Sequence, residues 1–192
     1  RAAAELLLQN GARVVGLARV ADRWTHPELV AISCDLSDAE AIEAAFREIA
    51  LRTERLDYVV NVAGADPKYP IDAITLVEWD RLIDLNLRAY YFVIKGALPL
   101  LRRGHGKSVV NVSSINYRLG VPGRAPYSAT KAGILGLTTG LSRELAAGAP
   151  AGVTGVDPSP EQIARARASV VDRRARFEVG DVEAPLLRGA SA

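Results

Sequence analysis

Apolar positions along this chain fall into short unbroken runs that alternate with longer stretches of helical spacing. Arg1 to Gln9 reads as the second half of an amphipathic helix, with Asn10-Gly11 as its C-cap. Ala12 to Ala18, centred on Val14 and Val15, predicts a buried parallel strand, and Leu29 to Ser33 predicts a second. Ser37-Asp38-Ala39-Glu40 caps a helix that runs to about Thr53. Leu56 to Val62 is a third strand that runs into Ala63-Gly64, and a loop rich in Pro and Asp follows from Asp66 to Ile74.

A long helix is expected from Val77 to Arg103, because Leu82, Ile83, Leu87, Tyr90, Ile94, Leu98 and Leu101 recur at helical spacing. Lys107 to Val112 is the fourth strand and closes on Ser113-Ser114. After the Gly/Pro-containing loop Gly120 to Pro126, a helix from about Tyr127 to Ala147 carries many small residues. Glycine in a helix costs up to about 1 kcal/mol, so Gly133, Gly136 and Gly140 point to a tight interface or a close ligand. Alternating strands and helices predict an α/β doubly wound parallel sheet. In such a sheet ligands bind beyond the carboxyl ends of the strands. Asn61 to Gly64 and Ser113-Ser114 lie at such ends.

Composition narrows the function classes. The chain has 192 residues, 49% hydrophobic and 24% charged, which fits one medium globular domain. A net charge of +2 gives no argument for nucleic acid or an anionic membrane surface. No apolar run reaches the roughly 20 residues of a membrane-spanning helix. The single cysteine, Cys34, cannot form an internal disulfide, so a reducing cytoplasm is the expected compartment. There is no methionine and the chain begins at Arg1 inside a helix, so a preceding segment is expected.

The candidate chemistry centres on Tyr127 and Lys131, with Ser114 upstream. A tyrosine and a lysine four apart on a helix share one face, one turn apart. An ammonium there favours the ionised form of a phenol that otherwise titrates near ~10. A nearby serine hydroxyl can hydrogen-bond the substrate oxygen whose proton moves. Such a set suits oxidation of an alcohol or reduction of a ketone.

With Asn61-Val62-Ala63-Gly64, Asn86 in Asp84-Leu85-Asn86-Leu87, Ser114 and Tyr127-x-x-x-Lys131 in order, residues 1–147 resemble the short-chain dehydrogenase/reductase family. The resemblance implies a Rossmann-like sheet in residues 1–148 and an NAD(P)-dependent oxidoreductase. It would interconvert a secondary alcohol and a carbonyl by hydride transfer. Tyr127 is then the general acid/base. Lys131 favours the phenolate and binds the nicotinamide ribose, and Ser114 polarises the substrate oxygen. Asn86 holds a backbone kink and a proton-relaying water, although alone it reads equally as a self-satisfied helix residue. By the same spacing Ser113 is a strand-end hydroxyl rather than a second catalyst.

Further cofactor contacts are implied at Asn61, Ala63, Gly64, Asp35 and Leu36. Asp35 reads also as a helix N-terminal carboxylate. Arg19, following Ala18 where an aspartate would clasp the ribose of NAD, favours NADP with NAD as the other choice; its other reading is a surface arginine. The loop Ser114-Ile115-Asn116-Tyr117 resembles those of sugar or polyol dehydrogenases, and Tyr91, Tyr117 and Arg118 are candidates to face the substrate. The resemblance also implies a small-molecule alcohol or carbonyl substrate and a homodimer or homotetramer. No metal site, nucleic-acid partner or membrane partner is expected.

Two departures stand out. The family's first strand and its TGxxxGxG turn are absent from the sequence. That strand would lie centrally, between Ala12–Ala18 and Leu56–Val62, so two unpaired edges are expected inside the sheet. The tail, 149–192, diverges as well. Over residues 152–187 it resembles a class I S-adenosylmethionine-dependent methyltransferase, with Asp157 and Asp181 at that family's ribose and adenine positions. A non-catalytic truncated or fused fragment, or a protein that binds S-adenosylmethionine, is therefore the alternative expectation.

Overall fold

The computed structural model describes residues 2–21, 23–106, 108–148, 152–157, 164 and 175–179. Its elements in chain order are α1 (Ala2–Gln9), β1 (Val14–Ala18), β2 (Leu29–Ser33), α2 (Ala39–Arg52), β3 (Tyr58–Asn61) and α3 (Leu76–Ile83). A π-helical turn (Asp84–Arg88) then leads into α4 (Ala89–Leu101), β4 (Ser108–Asn111), α5 (Asn116–Leu119), α6 (Ala125–Gly148), β5 (Gly152–Asp157) and β6 (Ala175–Val179).

All pairings among these strands are parallel, and they form two separate sheets. β1 pairs with β2, from Val14 opposite Leu29 to Ala18 opposite Ser33. β3, β4, β5 and β6 form the other sheet in that order. No described pairing joins β1 to β3. Among the described residues β1 and β3 each have one edge without a strand partner, as expected, and a cavity of about 840 Å³ lies between them. Val14 to Ala18 line one wall and Tyr58 to Ala63 the other.

The helices span this gap. Asp38 accepts hydrogen bonds from the amides of Glu40 and Ala41 and so starts α2. Thr75 and Glu78 form a reciprocal capping box at the head of α3. Ile42, Ala45, Phe46 and Ile49 of α2 share one core with Val93, Ile94, Ala97, Leu100 and Leu101 of α4. That core also takes Ile32 and Cys34 from the β2 side and Val59 and Val109 from the larger sheet. At the foot of α4 the chain passes so close to the start of β3 that a Cβ on Gly104 would overlap the Leu56 carbonyl oxygen. Only glycine permits that approach.

Two differences from the expected elements matter. The single helix expected over Val77 to Arg103 is interrupted by the π-helical turn at Asp84–Arg88. The short helix α5 has only four residues, too few to register as an apolar period. β5 and β6 continue the larger sheet. Asp157 ends β5, while Asp181 and the Pro158-Ser159 turn lie outside the described residues.

Candidate active site

Asn86, Tyr127 and Lys131 lie around the ends of β3 and β4, where α6 begins, and Ser114 follows β4. The first turns of α6 carry Tyr127, half-buried, and Lys131, only 4% exposed. The Lys131 ammonium donates to the Val112 carbonyl oxygen (3.0 Å) and to the Tyr90 hydroxyl (3.4 Å). It lies 5.4 Å from the Tyr90 ring centroid and 5.8 Å from that of Tyr127. Burial pushes its pKa down to about 8, and the Asp66 carboxylate opposes that fall. An ammonium has three donors, so these two bonds leave one for another acceptor.

Asn86 sits inside the π-helical turn with no solvent exposure. Its Nδ2 donates to the Ala65 carbonyl (2.7 Å), and its Oδ1 accepts from the Ala65 amide (2.8 Å). The wide turn directs this side chain sideways into the loop after β3, as π-turns at functional sites do. A Cβ on Gly64 would lie 3.1 Å from Asn86 Oδ1 and 3.6 Å from Lys131 Nζ, so glycine keeps this strap close to both.

The two serines after β4 separate. Ser113 donates to the Lys131 carbonyl at 2.7 Å and so pins β4 to α6. Ser114 accepts from the Asn116 amide at 3.2 Å, at the head of α5. Ser128 donates to the Asn116 carbonyl (3.0 Å), which ties α5 to the Tyr127 turn.

The expected cofactor residues lie along the carboxyl ends of the strands. Arg19 follows β1 and is exposed. Asp35, after β2, is exposed too; its carboxyl is held below the usual range by the Ser37 hydroxyl and amide, and further by the Arg19 and Arg81 guanidinium groups. Arg19 and Asp35 are thus neighbours. Leu36, Asn61 and Ala63 line the cavity between the sheets, together with Tyr90. Asn61 faces inward: its Nδ2 donates to Asn111 Oδ1 (2.9 Å), and Asn111 in turn donates to Thr138 (3.1 Å). That ladder joins β3, β4 and α6.

Tyr90 has the spacing of an apolar core position, and Tyr91 is the expected substrate-side candidate. Tyr91 is 43% exposed and packs edge-on against Phe92. Tyr90 is the residue at the site. Its hydroxyl lies 3.1 Å from the Ala63 carbonyl oxygen and 3.2 Å from that of Val112, bridging the ends of β3 and β4. Burial, with Tyr127 adding to it, raises its pKa far above the ordinary phenol value. The available signal was its spacing, one helical turn beyond Asn86. Asp66 and Arg124 were also missed; their ion pair, at 2.5 Å, closes one side of the site.

A parallel α/β sheet with a tyrosine, a buried lysine and an asparagine at its strand ends has the architecture in which ligands bind beyond those ends. The sequence matches the short chain dehydrogenase family over residues 1–170, and the chain belongs to that family. It is 37% identical over 116 residues to a 3-oxoacyl-[acyl-carrier-protein] reductase of Staphylococcus aureus, a match that covers 60% of this chain and 47% of that protein. It is 38% identical over 112 residues to D-xylose 1-dehydrogenase of Caulobacter vibrioides, covering 58% and 44% of the two chains. The chain thus spans about half the length of the curated relatives it matches. A metagenomic short-chain oxidoreductase solved in complex with NADP superposes with a TM-score of 0.75 at 28% identity, covering 93% of this chain and 89% of that one. The methyltransferase resemblance over 152–187 is not borne out. The family match continues through the start of that segment, and β5 extends the same sheet. An acidic strand end is a property of many parallel sheets and does not mark one ligand.

Proposed function

We propose that this chain is an NAD(P)-dependent oxidoreductase that interconverts a secondary alcohol and a carbonyl. The observation that carries this reading is the buried Lys131 ammonium, held against the rings of Tyr90 and Tyr127. In this reading Tyr127 gives or takes the proton of the substrate oxygen, and the adjacent ammonium stabilises its phenolate. Ser114 hydrogen-bonds the same oxygen and orients it. Asn86 fixes the Gly64–Ala65 strap beside them. Nicotinamide, when bound, supplies or accepts the hydride at the carbinol carbon.

The residues present suit the two ends of such a cofactor. The free donor of Lys131, with Ala63 and Gly64, suits the nicotinamide ribose. Arg19 beside Asp35 suits an adenosine carrying a 2′-phosphate, which makes NADP the preferred carrier over NAD. A neighbour solved with NADP supports that preference. The sequence contains no glycine-rich turn to cradle the pyrophosphate. The relative named for D-xylose supports a sugar or polyol substrate.

A homodimer or homotetramer is proposed through the outer face of α6. Gly136 and Gly140 have nothing within 4 Å there, and Leu135 is 36% exposed beside them. Gly133, by contrast, packs on Leu87. No described helix is long and apolar enough to cross a membrane, and the compartment proposed is the cytoplasm.

Turnover of NADP and NAD with a panel of sugars, polyols and simple alcohols tests the reading. Tyr127→Phe is expected to lower the rate by about 10²–10⁴-fold, the usual contribution of a positioned acid/base. Equal rates in the two proteins would remove Tyr127 from the mechanism.

A further inference from the structure

Asp66 and Arg124 stand outside the set of residues discussed above, yet they link its two sides. Asp66 follows Ala65, whose amide and carbonyl are both held by Asn86. Arg124 lies one turn before Tyr127 on the approach to α6, and its carbonyl accepts from the Ser128 amide at 2.8 Å. The two side chains meet as an ion pair and are only 31% and 24% exposed. Just beyond them the Tyr69 amide donates to the Gly123 carbonyl at 2.8 Å, a second bond between the same two segments. The strap after β3 passes the Lys131 ammonium closely, since a Cβ on Gly64 would lie 3.6 Å from Nζ.

We propose that Asp66 and Arg124 form a positioning clamp across the site, tying the strap that Asn86 holds to the turn that carries Tyr127. The pair acts through Lys131 and Tyr127 and does not touch the reacting atoms. It therefore rests on the reading of those two residues as the proton-transfer pair. The rings of Tyr90 from α4 and of Tyr127 from its own helix lie against the Lys131 ammonium, and the Asp66 carboxylate on the strap opposes the fall in its pKa. Of these, Asp66 is the only anion, and Arg124 is the cation that partly cancels it.

The two halves of the clamp should therefore move Lys131 in opposite directions. Asp66→Asn removes the carboxylate and lowers the Lys131 titration. Arg124→Gln leaves the carboxylate uncompensated and raises it. Shifts of roughly half a unit to one unit are expected for charges in this partly exposed setting. A merely structural link would not separate the two, because loosening the site from either side lets water in and shifts Lys131 the same way.

The measurement is a pH titration of 13Cε-labelled lysine in the intact protein by NMR, assigned with Lys131→Arg, with the exposed Lys68 and Lys95 as references. Asp66→Glu keeps the charge and should hold the Lys131 midpoint near its original position, which separates the clamp from a general loss of fold. Opposite shifts support the proposal. Shifts of one sign, or none in either variant, overturn it. Because this readout needs neither cofactor nor turnover, it fails or succeeds independently of the Tyr127→Phe comparison.

Discussion

β1 and β4 are built from similar residues, Val-Val-Gly-Leu-Ala and Ser-Val-Val-Asn, yet the molecule treats them differently. In β4 three of the four residues are buried; in β1 only Gly16 is, and α1 beside it buries none. β4 has a parallel neighbour on each side, whereas β1 has β2 on one side and, among the described residues, no strand on the other. Burial here follows strand pairing and helix cover, and hydropathy of the strand alone does not decide it. The same division runs through the proposed chemistry. Tyr127, Lys131, Asn86 and Ser114 belong to the side of the larger sheet, while Arg19, Asp35 and Leu36 belong to the side of β1 and β2.

Paired leucines break or sharpen that contrast most directly. Leu100 is 2% exposed in the core between α2 and α4, and Leu17 on β1 is only partly buried. Leu100→Ala should cost about 3 kcal/mol, within the usual range for a buried leucine. Leu17→Ala should cost about 1 kcal/mol, since part of its area is already in water. Urea unfolding of the two variants measures the difference, and equal losses would mean that the halves are packed alike.

Lys131 provides the next test, through pH. Its folded pKa of about 8 lies below its ordinary 10.5. Below pH 8 both states carry the proton, and the folded state bears the full cost of the buried charge. Between 8 and 10.5 the unfolded chain holds a proton that the folded chain has released, so stability should rise with pH by up to about 3 kcal/mol. Lys131→Met should abolish the rise, followed by thermal melts across this window. A melt profile unchanged by the substitution would show that the side of the larger sheet does not bury this charge.

The smallest effect belongs to the β1–β2 half. Arg13 and Glu28 meet at 3.3 Å with side chains 84% and 53% exposed. Arg13→Ala should change stability by less than about 0.5 kcal/mol, as for most exposed pairs. A larger loss in the same urea series would mark this edge as more ordered than its exposure implies.

The strands were legible because each is a dense apolar run bounded by turn residues. Tyr127 and Lys131 were legible because their spacing on one helix is local. Tyr90 was hidden because its spacing matches a leucine stripe, and only the polar strand ends above it show why a phenol is there. Asp66 and Arg124 were hidden because their pairing joins two distant loops, for which no local period exists. The tail was misread because an apolar strand ending in aspartate looks the same in several nucleotide-binding sheets.

The π-helical turn has a consequence for phase. Each residue of a helix turns the chain by roughly 100°, so the extra residue within Asp84–Arg88 sets the rotation of all of α4 relative to α3. With that rotation, Leu82 and the buried row Tyr90, Val93, Ile94, Ala97 and Leu101 all point inward. Deleting one residue from the turn would swing the row aside and carry the Tyr90 hydroxyl away from the carbonyls of Ala63 and Val112. The turn works as an angular index: the same residue that gives Asn86 its reach also decides which face of the next helix meets the lysine.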